Sequence, residues 1–315
     1  MSDPRVARRD VIALVLAAVC WGLGTVISKA ALGEIPPLTL FPIQLAASLV
    51  VLLVLMRSHG VPLRVDGPPS LGRLGLLNPG IAYALSLLGL TTITASLSVI
   101  LWALEPLMIL VLAAWFLRES MTPNVIVLSL VAIAGMIAII YDPAAGGAVL
   151  GLSLTLAGVA CCAAYTVITR RWIPDAKETS QVVLAQQAHG LGVALVFVVI
   201  VGVAGGAIAP NSLTPPGLAS ALGSGVLYYA GAYWLYLGAL RRVPAAVAAV
   251  SFYLIPIVGV TAGALFLGER LDPMQWVGVM VVLAAVFAIW RLDIATVGSP
   301  VSARLDRADS RFRGP

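Results

Sequence analysis

Charge is what this 315-residue chain has least of: only 10% of its residues are Asp, Glu, Lys or Arg. Soluble domains carry about 25%, which argues against a water-exposed globular enzyme. Metal and disulfide chemistry are equally scarce. Three cysteines, Cys20, Cys161 and Cys162, do not build a disulfide framework. The two histidines, His59 and His189, stand far apart with no acid or cysteine partner at ligand spacing, so neither a metal nor a cofactor is expected. No nucleotide-binding glycine loop is present, which argues against direct ATP drive. An intramembrane enzyme would need an HExxH helix, an intramembrane aspartate or a serine elbow with a histidine in reach, and the apolar stretches hold none of these.

Apolar sequence is what the chain has in excess: 60% hydrophobic residues and a mean hydropathy of +1.02. At about twenty residues per bilayer crossing, this predicts an all-α integral membrane protein with ten transmembrane helices. They fall at 11–32, 38–56, 74–91, 95–117, 123–141, 148–169, 180–204, 217–240, 244–267 and 273–290. Pro36-Pro37, the 67–70 run, Asp142-Pro143, Pro210 and Pro215-Pro216 mark the breaks. Residues 74–117 are nearly continuous apolar sequence, twice a bilayer thickness, so the Thr91-Thr92-Ile93-Thr94 cluster is expected to turn. With ten spans, seventeen of the nineteen basic residues share a side with both termini; only Lys29 and Arg270 do not. Positive-inside bias therefore puts both termini in the cytoplasm. The basic residues are spread over loops rather than gathered on one face, so nucleic acid is not an expected partner. The lipid bilayer is.

The chain also repeats itself. Shifted by 150 residues, positions 82–140 meet 232–290 without a gap, and eighteen of 59 pairs are identical. The matches include Tyr83 with Tyr233, Pro106 with Pro256, Phe116 with Phe266, Glu119 with Glu269 and Pro123 with Pro273. A shift of 141 pairs Cys20 and residues 25–29 with Cys161 and residues 166–170. The organisation expected is a first five-helix repeat at 1–142, a second at 143–291, and a basic, disordered cytoplasmic tail at 292–315. Five is odd, so the second repeat enters the membrane inverted. Inverted repeats let a secondary transporter adopt two related states, each open to one side.

The pattern resembles the drug/metabolite transporter superfamily, in its ten-helix EamA-type branch. The resemblance is carried by a proline, an apolar run and Phe-Leu-x-Glu, which occur as EPLMILVLAAWFLRE (105–119) and IPIVGVTAGALFLGE (255–269). The first span, CWGLGTVISKAALGEIPPLTL (20–40), is similar to bacterial aromatic amino-acid exporters. One departure is Gln44, where many EamA-type proteins have arginine. The resemblance implies a bacterial inner-membrane carrier of small organic solutes. It also implies a central cavity lined by spans 1, 3, 4, 6, 8 and 9, with spans 5 and 10 peripheral.

Within the spans, Glu105 is the one deeply placed acid. An ionised carboxylate there costs several kcal/mol, so it should face the bundle interior. It either binds a substrate ammonium group, carries a coupling proton, or rests protonated against nearby backbone. Pro106 and Pro256 kink matching helices and free the carbonyls of Trp102 and Phe252. Aromatics recur at helical spacing: Ser98, Trp102 and Glu105 share one face, Trp21, Thr25 and Ser28 another, and Tyr229, Tyr233 and Tyr236 a third, with Tyr83 the repeat partner of Tyr233. An aromatic-lined cavity with one carboxylate suits a planar solute bearing a cationic group. The substrate-binding set expected is Trp21, Thr25, Tyr83, Ser98, Trp102, Glu105, Tyr229, Tyr233 and Phe252. Lys29, Gln44, Glu119 and Glu269 are candidates for gating or coupling. Lys29 alternatively snorkels, Gln44 bonds between helices, and the two glutamates cap loops.

Overall fold

The computed structural model describes residues 8–63, 69–116, 123–140, 148–169, 179–240, 251–252 and 254–297; among them the chain is helical, with no strand. Hydrocarbon offers no water to a free N–H or C=O, so each apolar stretch satisfies its backbone internally, as a helix. In the first half these are α1 (Arg8–Ala31), α2 (Pro37–Ser58), a short α3 (Pro69–Arg73), α4 (Ala82–Leu90), α5 (Ala95–Trp102), α6 (Glu105–Phe116) and α7 (Pro123–Ile140). The second half runs α8 (Ala148–Thr169), α9 (Thr179–Val203), α10 (Pro215–Gly225), α11 (Ala232–Leu240), α12 (Leu254–Leu267) and α13 (Pro273–Val297). Among the described residues, five stretches are each long and apolar enough to cross a bilayer: Arg8–Ala31, Pro37–Ser58, Leu71–Leu90, Val149–Ile168 and Ser180–Val203. Trp115, Phe266 and Leu265 turn about three quarters of their surface outward, an arrangement suited to lipid and not to water.

Three boundaries differ from the hydropathy reading. The first helix starts at Arg8, so Asp10 sits buried in its first turn, where the helix dipole favours a negative group. The span expected at 95–117 is broken. Leu104 N–H bonds to the Leu101 carbonyl in a tight turn, and Met108 N–H to Leu104 resumes the ladder beyond Pro106. The last helix runs through Val297 rather than stopping at 290, so the expected solvated tail begins as helix.

Two interruptions obey the 150-residue repeat. A π-turn at Leu77–Ile81 precedes α4, and another at Val226–Gly231 joins α10 to α11. Asn78 leaves helical geometry altogether (φ −137°, ψ 115°). Just before each π-turn stands a glycine, Gly75 or Gly225. A Cβ at Gly75 would overlap the Gln186 backbone, and one at Gly225 would overlap the Gln44 backbone. The repeat thus extends to a pair of glycine–glutamine crossings that bring α2 against α10 and α9 against the π-turn region.

The repeats interlock. α1 packs against α10, α11 and α12 of the second half, and α8 packs against α4, α5 and α6 of the first. Each repeat therefore inserts its first helix into the other. α2 lies on α9, and α7 packs on α13. The α7–α13 pair buries Ala132, Val279, Val282 and Ala285 while turning Leu130 and Met280 outward.

Candidate functional site

Between the repeats lies a crevice lined by Thr25 and Ser28 of α1, Tyr83, Ser86, Leu87 and Leu90 of α4, Ser98 and Trp102 of α5, and Tyr228 and Tyr229 of the second π-turn. Tyr83 is its hub. Its ring stacks on Trp102 (centroids 5.2 Å, planes 20° apart) and meets Tyr228 and Tyr229 edge-on at 5.4 and 5.3 Å. These are the offset and T-shaped contacts that aromatic quadrupoles favour. Its hydroxyl lies 3.1 Å from that of Tyr233, joining the two repeat-related tyrosines. The crevice volume is about 30 Å³, room for a water or two rather than for a solute of amino-acid size.

Five of the nine expected binding residues line this space: Thr25, Tyr83, Ser98, Trp102 and Tyr229. Trp21, Tyr233 and Phe252 form a neighbouring aromatic cluster with Tyr236, in which Trp21 meets each of the other three at 5.5 Å. Glu105 is not among the crevice residues. It follows a break in the helix at Ala103-Leu104, and its Oε1 accepts from the Cys162 thiol of α8 at 3.2 Å. Of the two carbonyls expected to be freed by prolines, that of Phe252 is taken: Ile255 N–H donates to it at 3.1 Å.

Ser28, Ser86, Leu87, Leu90 and Tyr228 were not in the expected set. Ser28 shares a helical face with Thr25, and its signal was there to read. Tyr228 was not legible, because adjacent residues on an α-helix point about 100° apart; the π-turn lets Tyr228 and Tyr229 both reach the crevice. The Tyr229 carbonyl, within this turn, accepts from Gln187 Nε2 at 2.7 Å, and Ser48 Oγ donates to Gln187 Oε1 at 2.6 Å.

The residues assigned to gating or coupling resolve differently. Gln44 is fully buried and donates from Nε2 to Ser28 Oγ and Ser224 Oγ, both at 2.8 Å, so it bonds α2 to α1 and α10. Lys29 reaches the end of α4. Its ammonium donates to the carbonyls of Leu90 (2.7 Å) and Ile93 (2.8 Å), the C-terminal end of α4, where the dipole favours a cation. It is therefore committed and does not face the crevice as an anion partner. Glu269 accepts from Ala95 N–H at 2.7 Å and from Ser96 N–H and Oγ at 2.9 and 2.6 Å, capping α5 from the other repeat. Glu119, its repeat partner, lies outside the described residues.

A second acid acts the same way at this end of the bundle. Glu34, in the α1–α2 turn, accepts from Thr214 N–H (2.9 Å) and Thr214 Oγ1 (2.7 Å) at the start of α10. The Thr214 backbone N–H, and after it the hydroxyl, hold the Glu34 carboxyl below its ordinary range. Each repeat thus lends a carboxylate to a helix N-terminus of the other, where unpaired N–H groups and the dipole receive negative charge.

Comparison with known proteins accords with this architecture. The sequence profile of the EamA-like transporter family matches twice, over residues 9–141 and 149–291. The uncharacterized transporter YvbV of Bacillus subtilis is 26% identical over 282 residues, 88% of this chain and 90% of that one. An uncharacterized transporter of Archaeoglobus fulgidus is 23% identical over 89% of this chain and 98% of its own length. A solved crystal structure superposes with a TM-score of 0.62 at 15% identity, covering 92% of this chain and 99% of that one, which establishes likeness of fold. The chain belongs to the EamA-like transporter family, multi-pass membrane proteins that carry small solutes.

Proposed function

We propose that the protein exports aromatic amino acids across a bacterial cytoplasmic membrane by alternating access, as ten spans in two inverted repeats with both termini in the cytoplasm. The observation that carries this reading is the crevice itself. It lies between interlocked repeats, its walls are Tyr83, Trp102, Tyr228 and Tyr229, and its polar groups are the hydroxyls of Thr25, Ser28, Ser86 and Ser98. A planar ring exchanges contacts with these faces, and the hydroxyls hydrogen-bond a zwitterion without binding it irreversibly. No guanidinium is present among the lining residues, which disfavours sugar phosphates and other strongly anionic solutes. In this topology the end bearing Lys29, Glu34 and Glu269 is external, and the cross-repeat caps hold it shut.

A planar organic cation is the second reading. The specific observation favouring it is that Lys29, the only basic residue near the crevice among those described, is spent on the end of α4, leaving a substrate carboxylate with hydroxyl partners alone. Counterflow in proteoliposomes separates the two. Preloaded phenylalanine, tyrosine or tryptophan should drive accumulation of labelled tracer, and planar cations should not compete. Competition by planar cations with none by aromatic amino acids replaces the first reading with the second. Competition by aspartate or a sugar phosphate alone refutes both.

A further inference from the structure

Beside the crevice, three polar side chains meet where helices are interrupted. Asn78 comes from the first π-turn, Glu105 from the residue that restarts the broken fourth span, and Cys162 from the middle of α8. Asn78 Nδ2 donates to Cys162 Sγ at 3.3 Å, and the Cys162 thiol donates to Glu105 Oε1 at 3.2 Å. Asn78 is only 5% exposed, and its Oδ1 has no hydrogen-bond partner. A buried, unpaired amide oxygen costs about 1–3 kcal/mol, and a carboxylate at this depth costs more. Both side chains are tied to the same thiol, so an unpaired amide oxygen and a carboxylate share one apolar setting. Among the described residues, the titratable groups within electrostatic reach of Glu105 are Cys162 on α8, Tyr228 in the π-turn, and Tyr233 and Tyr236 on α11; none of these is basic. A cation from solution would complement both oxygens.

We propose that Glu105, Asn78 and Cys162 form a site for one monovalent cation, a proton or Na⁺, adjacent to the aromatic crevice and separate from it. A single carboxylate matches a single charge; divalent ions draw on several carboxylates or waters. Position favours a coupling ion over a substrate group, because Glu105 is not among the crevice residues while Trp102, three residues before it, is. Interrupted helices are also where transporters gather the backbone carbonyls that complete an ion's shell. Both oxygens of this site stand at such interruptions, on repeat positions whose second-half counterparts are Tyr228 and Ile255. Both oxygens thus come from one repeat, and α8 of the other supplies the thiol.

The test uses the purified full chain in detergent with no solute added. Tryptophan fluorescence and thermal melting are followed as choline is replaced by Na⁺ in alkaline buffer, and as pH is varied in choline alone. The wild type should respond saturably. A response to pH alone identifies the occupant as a proton. A response to Na⁺ whose midpoint rises on acidification identifies Na⁺, with protons competing for Glu105. Glu105→Gln, which keeps the shape, should abolish the response, and Asn78→Ser should weaken the apparent affinity or displace the midpoint by roughly tenfold. Cys161→Ser changes the neighbouring thiol, which is not part of the site, and should respond like the wild type; it serves as the folded control. Titrations that coincide in wild type and Glu105→Gln overturn the proposal, and an unshifted Asn78→Ser removes Asn78 and overturns the three-residue site. Because no solute is involved, failure here is distinct from failure of aromatic counterflow.

Discussion

Removing the carboxylate of Glu269 should release one end of the bundle. A helix leaves its first N–H groups without intrahelical partners, and at α5 the accounting closes. Ser98 N–H reaches the Thr94 carbonyl, Leu97 N–H the Thr94 hydroxyl, and Ala95 and Ser96 N–H both reach Glu269. Gly268, at φ +68°, ends α12 in a left-handed turn that returns Glu269 N–H to the Gly263 carbonyl at 3.1 Å and aims the side chain across at α5. A hydrogen bond to a charged acceptor is worth about 1.5–3 kcal/mol. The site is half-buried, so the lower figure applies. Glu269→Ala then loses two backbone bonds, about 3 kcal/mol, and Glu269→Gln about half of that. At 1.4 kcal/mol per decade, the alanine variant shifts the closed–open balance of this end roughly 100-fold and the glutamine variant roughly 10-fold. The assay is the labelling rate of a single cysteine at Ser98, in a background where Cys20, Cys161 and Cys162 are serine, by an impermeant thiol reagent added outside. Rates should order as alanine, glutamine, wild type. Equal rates in folded, monodisperse protein would refute the clamp.

Gly225→Ala should lower the melting temperature by several degrees, because the new Cβ meets the Gln44 backbone and overpacking costs about 1–3 kcal/mol; Gly223→Ala, with open space around it, is the control and should melt unchanged. Glu34→Gln should be less stable than wild type at neutral pH, and the gap should close on acidification. The sign follows from the lowered carboxyl: its contribution is complete above the ordinary value of 4.5 and is lost as pH falls through the lower folded value. Melting curves of the two proteins that stay parallel down to strongly acidic pH would contradict the Glu34–Thr214 contact.

Much of this protein is written in its sequence because lipid leaves a backbone few choices. Hydropathy located the helical stretches, proline and glycine located most of their ends, and the 150-residue repeat paired Tyr83 with Tyr233, whose hydroxyls meet in the structure. Five crevice residues were legible as aromatic and hydroxyl side chains at helical spacing. What hydropathy does not encode is the insertion of an extra residue into a helical turn, which brings Tyr228 to the crevice and unwinds Asn78. Nor does it encode contacts across the repeat interface. Lys29 and Glu269 are equally compatible with lipid headgroups, gates or caps until α4, α5 and α12 are brought together. Beyond the break before Pro106, Glu105 meets Cys162, fifty-seven residues away. Spans and repeats follow from local transfer energies summed along the chain; the partners of the buried polar groups follow from which helices interlock, and only the tertiary structure decided that.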